Sequence, residues 1–331
     1  MGFLGGDRGD GVPAFPEGWY HLAMSSALPP GAVLPRRVCG RDLVAFRTES
    51  GALGALDAHC PHLGAHLGYG GRVVGEALRC PFHALHWGAD GRCVGADDAD
   101  RPGIRARARA WPVRELHGAL MVYYSARGEP PWWEIPDPGM EGWSEPRSET
   151  LRFPGHVLEV AENGVDRRHF AAVHGYTGVS EFDVKVDGPV MHSAFTFEKD
   201  GVAQRFDTLV YGLGYAITDL RIEQLGIHAR VILLSNQVDA ETVDFTVCAS
   251  VEGGLAWMDR FLAAIVDDVR KDLPIWAHKR RLEEPALVAG DGPIATYRRF
   301  ARQFDPPLDP ASCRGVDSVE SPAHEARAAA R

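Results

Sequence analysis

The chain has 331 residues, of which 45% are hydrophobic and 24% charged, and its formal net charge is −10. This length is enough for about two domains, each with its own core. The acidic balance argues against a nucleic-acid-binding protein, which needs a basic surface. No apolar run approaches the roughly 20 residues that span a bilayer, and the glycine-rich N-terminus lacks the apolar core of a signal peptide. We therefore expect a soluble, cytoplasmic chain with no membrane span.

The N-terminal half is typical of a small antiparallel β domain over residues 16–127, behind a disordered lead at 1–15. Its short apolar runs are bounded by Gly and Pro, and they are Ala32–Cys39, Leu43–Thr48, Ala52–Asp57, Ala77–Cys80, Arg92–Gly95, Arg105–Val113 and Leu120–Tyr124. The segment Gly128–Pro146 is rich in Pro and Trp. We interpret it as a linker that its aromatic side chains hold in order.

A second domain is predicted over residues 128–308, followed by a disordered tail at 309–331. A helix is expected within Leu158–Val173, and a long helix within Leu255–Arg281, where Pro274 should introduce a kink or an end. Between them lie strand-like runs at Ala194–Lys199, Val202–Tyr211, Tyr215–Ile222, His228–Leu234 and Thr242–Val251. Strands followed by a long C-terminal helix predict an α+β domain. These strands are expected to wall a pocket, and the side chains of their apolar faces either line it or, for most of them, form plain core: Leu209, Tyr211, Ile217, Leu220, Ile232 and Leu234.

Two mixed Cys/His pairs form the first candidate site. Cys60-Pro-His62 is followed, after 17 residues, by Cys80-Pro-Phe-His83. Two thiolates and two imidazoles can hold zinc or a [2Fe–2S] cluster of the Rieske type, in which two His replace two Cys on one iron. Zinc fingers pair like ligands with each other, whereas here each loop offers one of each kind, as a Rieske cluster requires.

The pattern resembles the Rieske signature. The remaining cysteines have no spaced partner and are interpreted as buried thiols or, for the last, a tail residue: Cys39, Cys93, Cys248 and Cys313. The neighbouring histidines are interpreted as packing or supporting groups rather than ligands: His59, His66 and His86.

A second motif runs from Asn163 through Asp166 and His169 to His174. The two histidines are five residues apart, so on an ideal α-helix they would point about 140° away from each other. Shared metal binding therefore requires a broken turn, and Gly175 favours a helix end there. Two imidazoles and one carboxylate with open positions form the facial triad of non-haem Fe(II) oxygenases.

With both motifs present, the chain resembles the α subunits of Rieske non-haem iron oxygenases over roughly residues 16–305. The resemblance implies that Cys60, His62, Cys80 and His83 hold the cluster and that His169 and His174 bind Fe(II). It also implies a helix-grip catalytic domain behind the Rieske domain and a homotrimer. In such a ring Asp166 would link one subunit's iron to His83 of the next.

The carboxylate ligand is sought on the predicted C-terminal helix. Asp267, Asp268 and Asp272 lie there, and Asp268 and Asp272 share one face. The family's aspartate commonly precedes the tryptophan of an Ile-Trp pair by four residues. The resemblance therefore favours Asp272 over Asp268.

The C-terminal run is similar to a narrower branch that includes 3-ketosteroid 9α-hydroxylase oxygenase components and sterol 7-desaturases. This implies O₂-dependent hydroxylation or desaturation of a bulky hydrophobic, steroid-like or polyketide-like substrate. No dinucleotide-binding glycine motif and no plant-type ferredoxin cysteine run is present. NAD(P)H would thus act indirectly, through a separate flavin reductase with or without a ferredoxin. The alternatives are a Rieske electron-transfer protein without oxygenase activity and a zinc-binding structural protein.

Overall fold

The computed structural model describes residues 15–97, 105–137, 139–254 and 256–306. The lead predicted at 1–15, except for Phe15, and the tail predicted at 309–331, which includes Cys313, lie outside these residues. None of the helices in the described ranges is long and apolar enough to cross a membrane.

The N-terminal strands form three small antiparallel sheets, in the orders β1-β10-β9, β2-β3-β4 and β5-β6-β7-β8. Their bounds are β1 Gly18–Met24, β2 Val33–Val38, β3 Arg41–Arg47, β4 Leu53–Asp57, β5 Arg72–Val74, β6 Ala77–Arg79, β7 Leu85–Gly88, β8 Cys93–Ala96, β9 Val113–Leu116 and β10 Ala119–Tyr124. The run Arg105–Val113 was predicted as a strand, but within it only isolated bridges form before β9 begins at Val113. The small β domain is otherwise confirmed.

The second half is one seven-stranded antiparallel sheet, in the order β11-β17-β16-β15-β14-β13-β12, with four helices. The bounds are β11 Arg147–Pro154, α1 Val157–Asn163, α2 Arg167–Ala172, β12 Asp183–Asp187, β13 Val190–Lys199, β14 Val202–Tyr211, β15 Tyr215–Ile222, β16 Ile227–Gln237, β17 Thr242–Val251, α3 Met258–His278 and α4 Ile294–Arg302. The predicted α+β class with a long C-terminal helix is confirmed.

One helix prediction needs correction. The helix expected over Leu158–Val173 is two short helices, because the chain leaves α1 at Asn163 and α2 begins only after Asp166. Of the two alternatives for Pro274, the structure excludes the helix end, because α3 continues to His278. Beyond the proline the buried Trp276 stacks on Phe153 with ring centroids 5.2 Å apart, and this packing holds the last turn in place.

Both faces of the central strands β15, β16 and β17 are largely buried, and most of the candidate wall residues form core rather than pocket lining. Of the six residues, only Leu220 lines the cavity described below. The other five belong to the core that the sheet shares with the N-terminal domain. Successive side chains of a strand point to opposite faces of the sheet. These five side chains lie on the face opposite the cavity.

The two halves meet where strand β1 crosses the sheet. The hydroxyl of Tyr215 is 2.6 Å from Nδ1 of His117, and the Asn236 side chain donates to the Arg37 carbonyl at 3.0 Å. The segment 128–146 crosses the same region, where Trp133 is buried and its carbonyl accepts from the Trp19 indole at 3.1 Å. This agrees with the interpretation of an aromatic-ordered linker.

Gly214 lies at this contact, and a Cβ at that position would come within 2.0 Å of the Trp19 carbonyl oxygen. We expect Gly214→Ala to lower the free energy of unfolding by about 2 kcal/mol or more, because the two backbones must move apart. Gly95→Ala is the control, since its Cβ would meet nothing closer than 3.9 Å. Thermal unfolding followed by circular dichroism measures both, and equal midpoints for the two variants would contradict the prediction.

Candidate functional site

Two loops bring the four Cys and His residues of the first motif together. Cys60 and His62 follow β4, and Cys80 and His83 join β6 to β7. The Cys60 amide donates to the Ala65 carbonyl at 2.8 Å and its carbonyl accepts from the Gly64 amide at 2.9 Å, so the first loop closes on itself. The rings of His62 and His83 lie edge to face, with their centroids 4.8 Å apart.

The two residue types differ in exposure. Cys60 and Cys80 are 2% and 1% exposed, whereas both histidines are exposed. Burial raises the pKa of the Cys60 thiol, while the backbone amide of His62 and the indole of Trp87 act in the opposite direction. A [2Fe–2S] cluster with its inner iron on thiolates and its outer iron on imidazoles fits this arrangement.

The other histidines and cysteines near these loops have different surroundings. His59 and His66 stack edge to face at 5.1 Å, and His66 accepts from the Gly68 amide at 3.0 Å. His86 contacts Asp97 at 2.9 Å. The described cysteines form no disulfide, and Cys39 and Cys248 are buried, while Cys93 is half-buried.

The break between α1 and α2 shapes the second motif. Asp166 caps α2, where its carboxylate accepts from the amides of Arg168 and His169 at 3.1 and 3.3 Å. His174 lies beyond the end of α2, and Gly175 turns the chain with φ +73°. Because His174 is outside the helix, both imidazoles can face one point in spite of their five-residue spacing.

His169, His174 and Asp272 form a compact trio, with ligand atoms that all lie within 4.8 Å of one another. Nε2 of His174 is 3.4 Å from Oδ2 of Asp272. Nδ1 of His169 lies 2.5 Å from the Asp166 carbonyl oxygen, to which it donates, and this leaves Nε2 free as a ligand.

The unpartnered atoms of this His–His–Asp trio fit a metal ion. Asp272 is 5% exposed, and neither its Oδ1 nor Nδ1 of His174 has a hydrogen-bond partner among the described residues. Burial lowers the pKa of His169 and so favours the neutral ring that binds metals. A buried carboxylate needs a compensating cation. Two imidazoles and one carboxylate with open positions suit Fe(II).

The two neighbouring carboxylates on α3, Asp267 and Asp268, already form ion pairs with basic side chains. Asp268 forms ion pairs with Lys199 and Lys271 and accepts from the Tyr176 hydroxyl at 3.0 Å. Asp267 pairs with Arg270 at 2.6 Å. Of the three candidate acids, the structure brings Asp272 to the two histidines.

The trio borders a cavity of about 390 Å³ between the sheet and helices α1 and α3. This volume is typical of pockets for small organic molecules. Asn163 lines the cavity. Asp166 instead lines a shallower opening on the outer side of α2, together with Ala172.

Several cavity residues were not predicted from the sequence. They are Ser193, Lys199, Gln204, Thr208 and Thr218 on the sheet, and Tyr176 after α2. Thr208 and Val210 on β14, and Thr218 and Leu220 on β15, are two residues apart and so share a face, which was a signal that could have assigned this face. Trp87 was also missed. Its buried indole lies beside the Cys60 thiol.

Comparison with known proteins places the chain among described families. A Rieske [2Fe–2S] domain matches residues 18–112, and the 3-ketosteroid 9α-hydroxylase C-terminal domain matches residues 122–304, more than half of the chain. A cholesterol 7-desaturase of Bombyx mori is 29% identical over 330 residues, covering 88% of this chain and 70% of that protein. A 3-ketosteroid-9-alpha-monooxygenase oxygenase component of Rhodococcus rhodochrous is also 29% identical, covering 90% and 86%.

Solved structures share the fold at lower identity. Dicamba monooxygenase bound to dicamba superposes with a TM-score of 0.73 at 19% identity, covering 89% of this chain and 97% of that one. The NdmA protein of Pseudomonas putida CBB5 with caffeine gives 0.70 at 17%, covering 90% and 92%.

The carboxylates of α3 allow a matched test of the trio. We expect Asp272→Asn to lower the iron content from about three to about two atoms per chain, because the neutral amide removes the anionic ligand and leaves the cluster loops untouched. Asp268→Asn, one turn earlier on α3, should keep all three. Plasma mass spectrometry of the purified proteins measures both, and an intact third iron in Asp272→Asn would refute the assignment.

Proposed function

Because the chain belongs to the family of the 3-ketosteroid 9α-hydroxylase C-terminal domain and carries a Rieske domain in front of it, we propose that it oxidises a bulky hydrophobic substrate with O₂ at a mononuclear Fe(II). The chain is a Rieske-type oxygenase component. The observation that carries the proposed reaction is the His–His–Asp trio at the border of the apolar cavity.

The proposed ligands divide into two sets. Cys60, His62, Cys80 and His83 would hold the [2Fe–2S] cluster, and the trio would hold Fe(II). When bound, the two groups supply electrons and an oxygen-activating centre. The protein itself would orient His169 through the Asp166 carbonyl and exclude water from the substrate with the apolar walls of the cavity.

The cavity supports an uncharged substrate. Apart from the trio, the charged side chains that line the cavity, Lys199 and Asp268, pair with each other, and aromatic and aliphatic groups form most of the rest. Steroid-like and polyketide-like molecules match this lining. Hydroxylation and desaturation would use the same site, and the relatives include both a monooxygenase component and a desaturase by name.

Electrons would come from outside the chain, from NAD(P)H through a separate flavin reductase with or without a ferredoxin. The exposed His62 and His83 support this, since they place the proposed outer iron at the surface. The free cysteines suit a reducing cytoplasmic location. We place the division between the Rieske and catalytic domains at 127/128, with the catalytic domain running to 308.

A homotrimer is proposed for the transfer between the two centres. Within the described residues, no hydrogen bond, ion pair or ring contact joins His83 to Asp166 or to the trio. Leu63 and Phe82, beside the two cluster histidines, are 65% and 62% exposed, and this apolar rim suits contact with another subunit. Asp166, at the opening outside α2, would receive His83 of the neighbour.

The oxygenase reading is favoured over a plain Rieske electron carrier, which would leave the trio and the cavity without a role. His169→Ala separates the two. We expect product-coupled O₂ uptake with a surrogate reductase to fall at least about 100-fold, because a metal ligand is lost. The Rieske electron paramagnetic resonance signal should stay unchanged. His192→Ala, on β13 outside the cavity, is the control. Undiminished turnover in His169→Ala would contradict the proposed iron site, and a wild-type chain that passes electrons but shows no product-coupled O₂ uptake would support the electron carrier.

Co-expression tests the trimer. His169→Ala and His83→Ala should each be inactive alone, since each lacks one of the two centres. Mixed trimers should recover about a quarter of wild-type turnover per chain, because random assembly places an intact cluster beside an intact iron at about one interface in four. No recovery in verified mixed trimers would show that transfer occurs within one chain.

A further inference from the structure

A row of hydroxyl groups crosses the floor of the apolar cavity. Ser193 on β13 pairs in register with Thr208 on β14, and Thr208 pairs with Thr218 on β15. All three side chains line the cavity. Because neighbouring strands are about 4.8 Å apart, this hydroxyl row (Ser193, Thr208 and Thr218) extends about 10 Å across the sheet.

The hydroxyl row is bounded by apolar rows on both sides. Two residues away along the strands lies an apolar row of residues that are in register with one another and line the cavity: Met191, Val210, Ala216 and Leu233. Two residues away in the opposite direction lies a second apolar row: Phe195, Phe206 and Leu220. At its β15 end the row meets Val231. Other polar side chains of the sheet also line the cavity, at Lys199, Gln204 and Ser235, but the hydroxyl row itself is flanked by apolar rows on both sides.

The hydrogen bonds of the row are incomplete. Thr208 and Thr218 bond to each other at 2.9 Å, which uses one of their two O–H groups and leaves the other available. Ser193 is 2% exposed, and its hydroxyl has no partner among the described residues. Threonine is common in strands, but a buried, unbonded serine hydroxyl costs free energy and requires an explanation.

We propose that the hydroxyl row binds a keto or hydroxyl oxygen of the substrate and so fixes which carbon faces the iron. This inference rests on the proposed function and adds to it the residues that set the position of oxidation. The unused O–H groups of Ser193 and the threonine pair can both donate to one carbonyl oxygen, which has two lone pairs. An uncharged acceptor is required, because the row carries no charge to compensate an ion.

The position of the row also separates the substrate oxygen from the reacting carbon. Phe195 lies about 6.6 Å from Ser193 along β13 and contacts Phe170, with ring centroids 4.9 Å apart. Phe170 directly follows the proposed ligand His169. The apolar row of Phe195, Phe206 and Leu220 would therefore pack against hydrocarbon between the bound oxygen and the carbon that is oxidised.

Binding of two matched probes tests the proposal, with androstanone as the ketone and androstane as the hydrocarbon that lacks the oxygen. The iron-loaded full chain should bind the ketone more tightly than the hydrocarbon, measured by quenching of tryptophan fluorescence, since Trp276 lines the cavity. Ser193→Ala should weaken ketone binding about tenfold and leave hydrocarbon binding unchanged. Thr208→Val should act in the same direction.

Ser250→Ala is the matched control, because Ser250 is equally buried on the same sheet and also unbonded, but does not line the cavity. Equal effects of Ser193→Ala and Ser250→Ala would overturn the proposal. So would a wild-type chain that binds the ketone no better than the hydrocarbon, including one that binds neither. If only the hydroxyl-row proposal fails, the wild-type chain still consumes O₂ when it oxidises a substrate. If the proposed oxygenase function fails, the wild-type chain shows no such O₂ uptake.

Discussion

Both faces of the central strands of the seven-stranded sheet are covered, and this constraint organises the rest of the molecule. On each strand, alternate residues must serve two different surfaces. On β14, Tyr211 packs into the core shared with the N-terminal domain, while its neighbour Val210 lines the cavity. The contact between the domains and the shape of the substrate cavity are thus set by the same strands, so a change of register would damage both.

The candidate iron site depends on a second constraint, which is the interruption between α1 and α2. A continuous helix would have turned His169 and His174 away from each other. Because α2 ends at Ala172, the chain can carry His174 toward Asp272 on α3. Asp166 contributes twice to this geometry, since its carboxylate caps α2 and its backbone carbonyl orients the His169 ring.

The sequence allowed much of this arrangement to be predicted, and the reasons for the misses are physical. Strands such as Val202–Tyr211 were confirmed because apolar residues and turn signals delimit them. The resemblance to Rieske oxygenases implied His169 and His174 as metal ligands and favoured Asp272, and the structure brings the three together. The sequence could not separate the strand residues that line the cavity from those that form core, because alternation does not reveal which face of a doubly buried strand carries the pocket. Ser193 was missed because register across strands decides its surroundings.

The two candidate sites differ in how far their ligand side chains are exposed to solvent, and this difference agrees with their proposed roles. In the first, the thiols are buried and the imidazoles His62 and His83 are exposed, so an electron can enter or leave at the surface. In the second, Asp272 is buried beside an apolar cavity. Low polarity strengthens the attraction between that carboxylate and a cation and keeps water from the substrate. Because an electron-entry site must be exposed and an oxidation site enclosed, their separation within the chain agrees with the proposed transfer between subunits, and the exposed Leu63 and Phe82 beside the first site suit that contact.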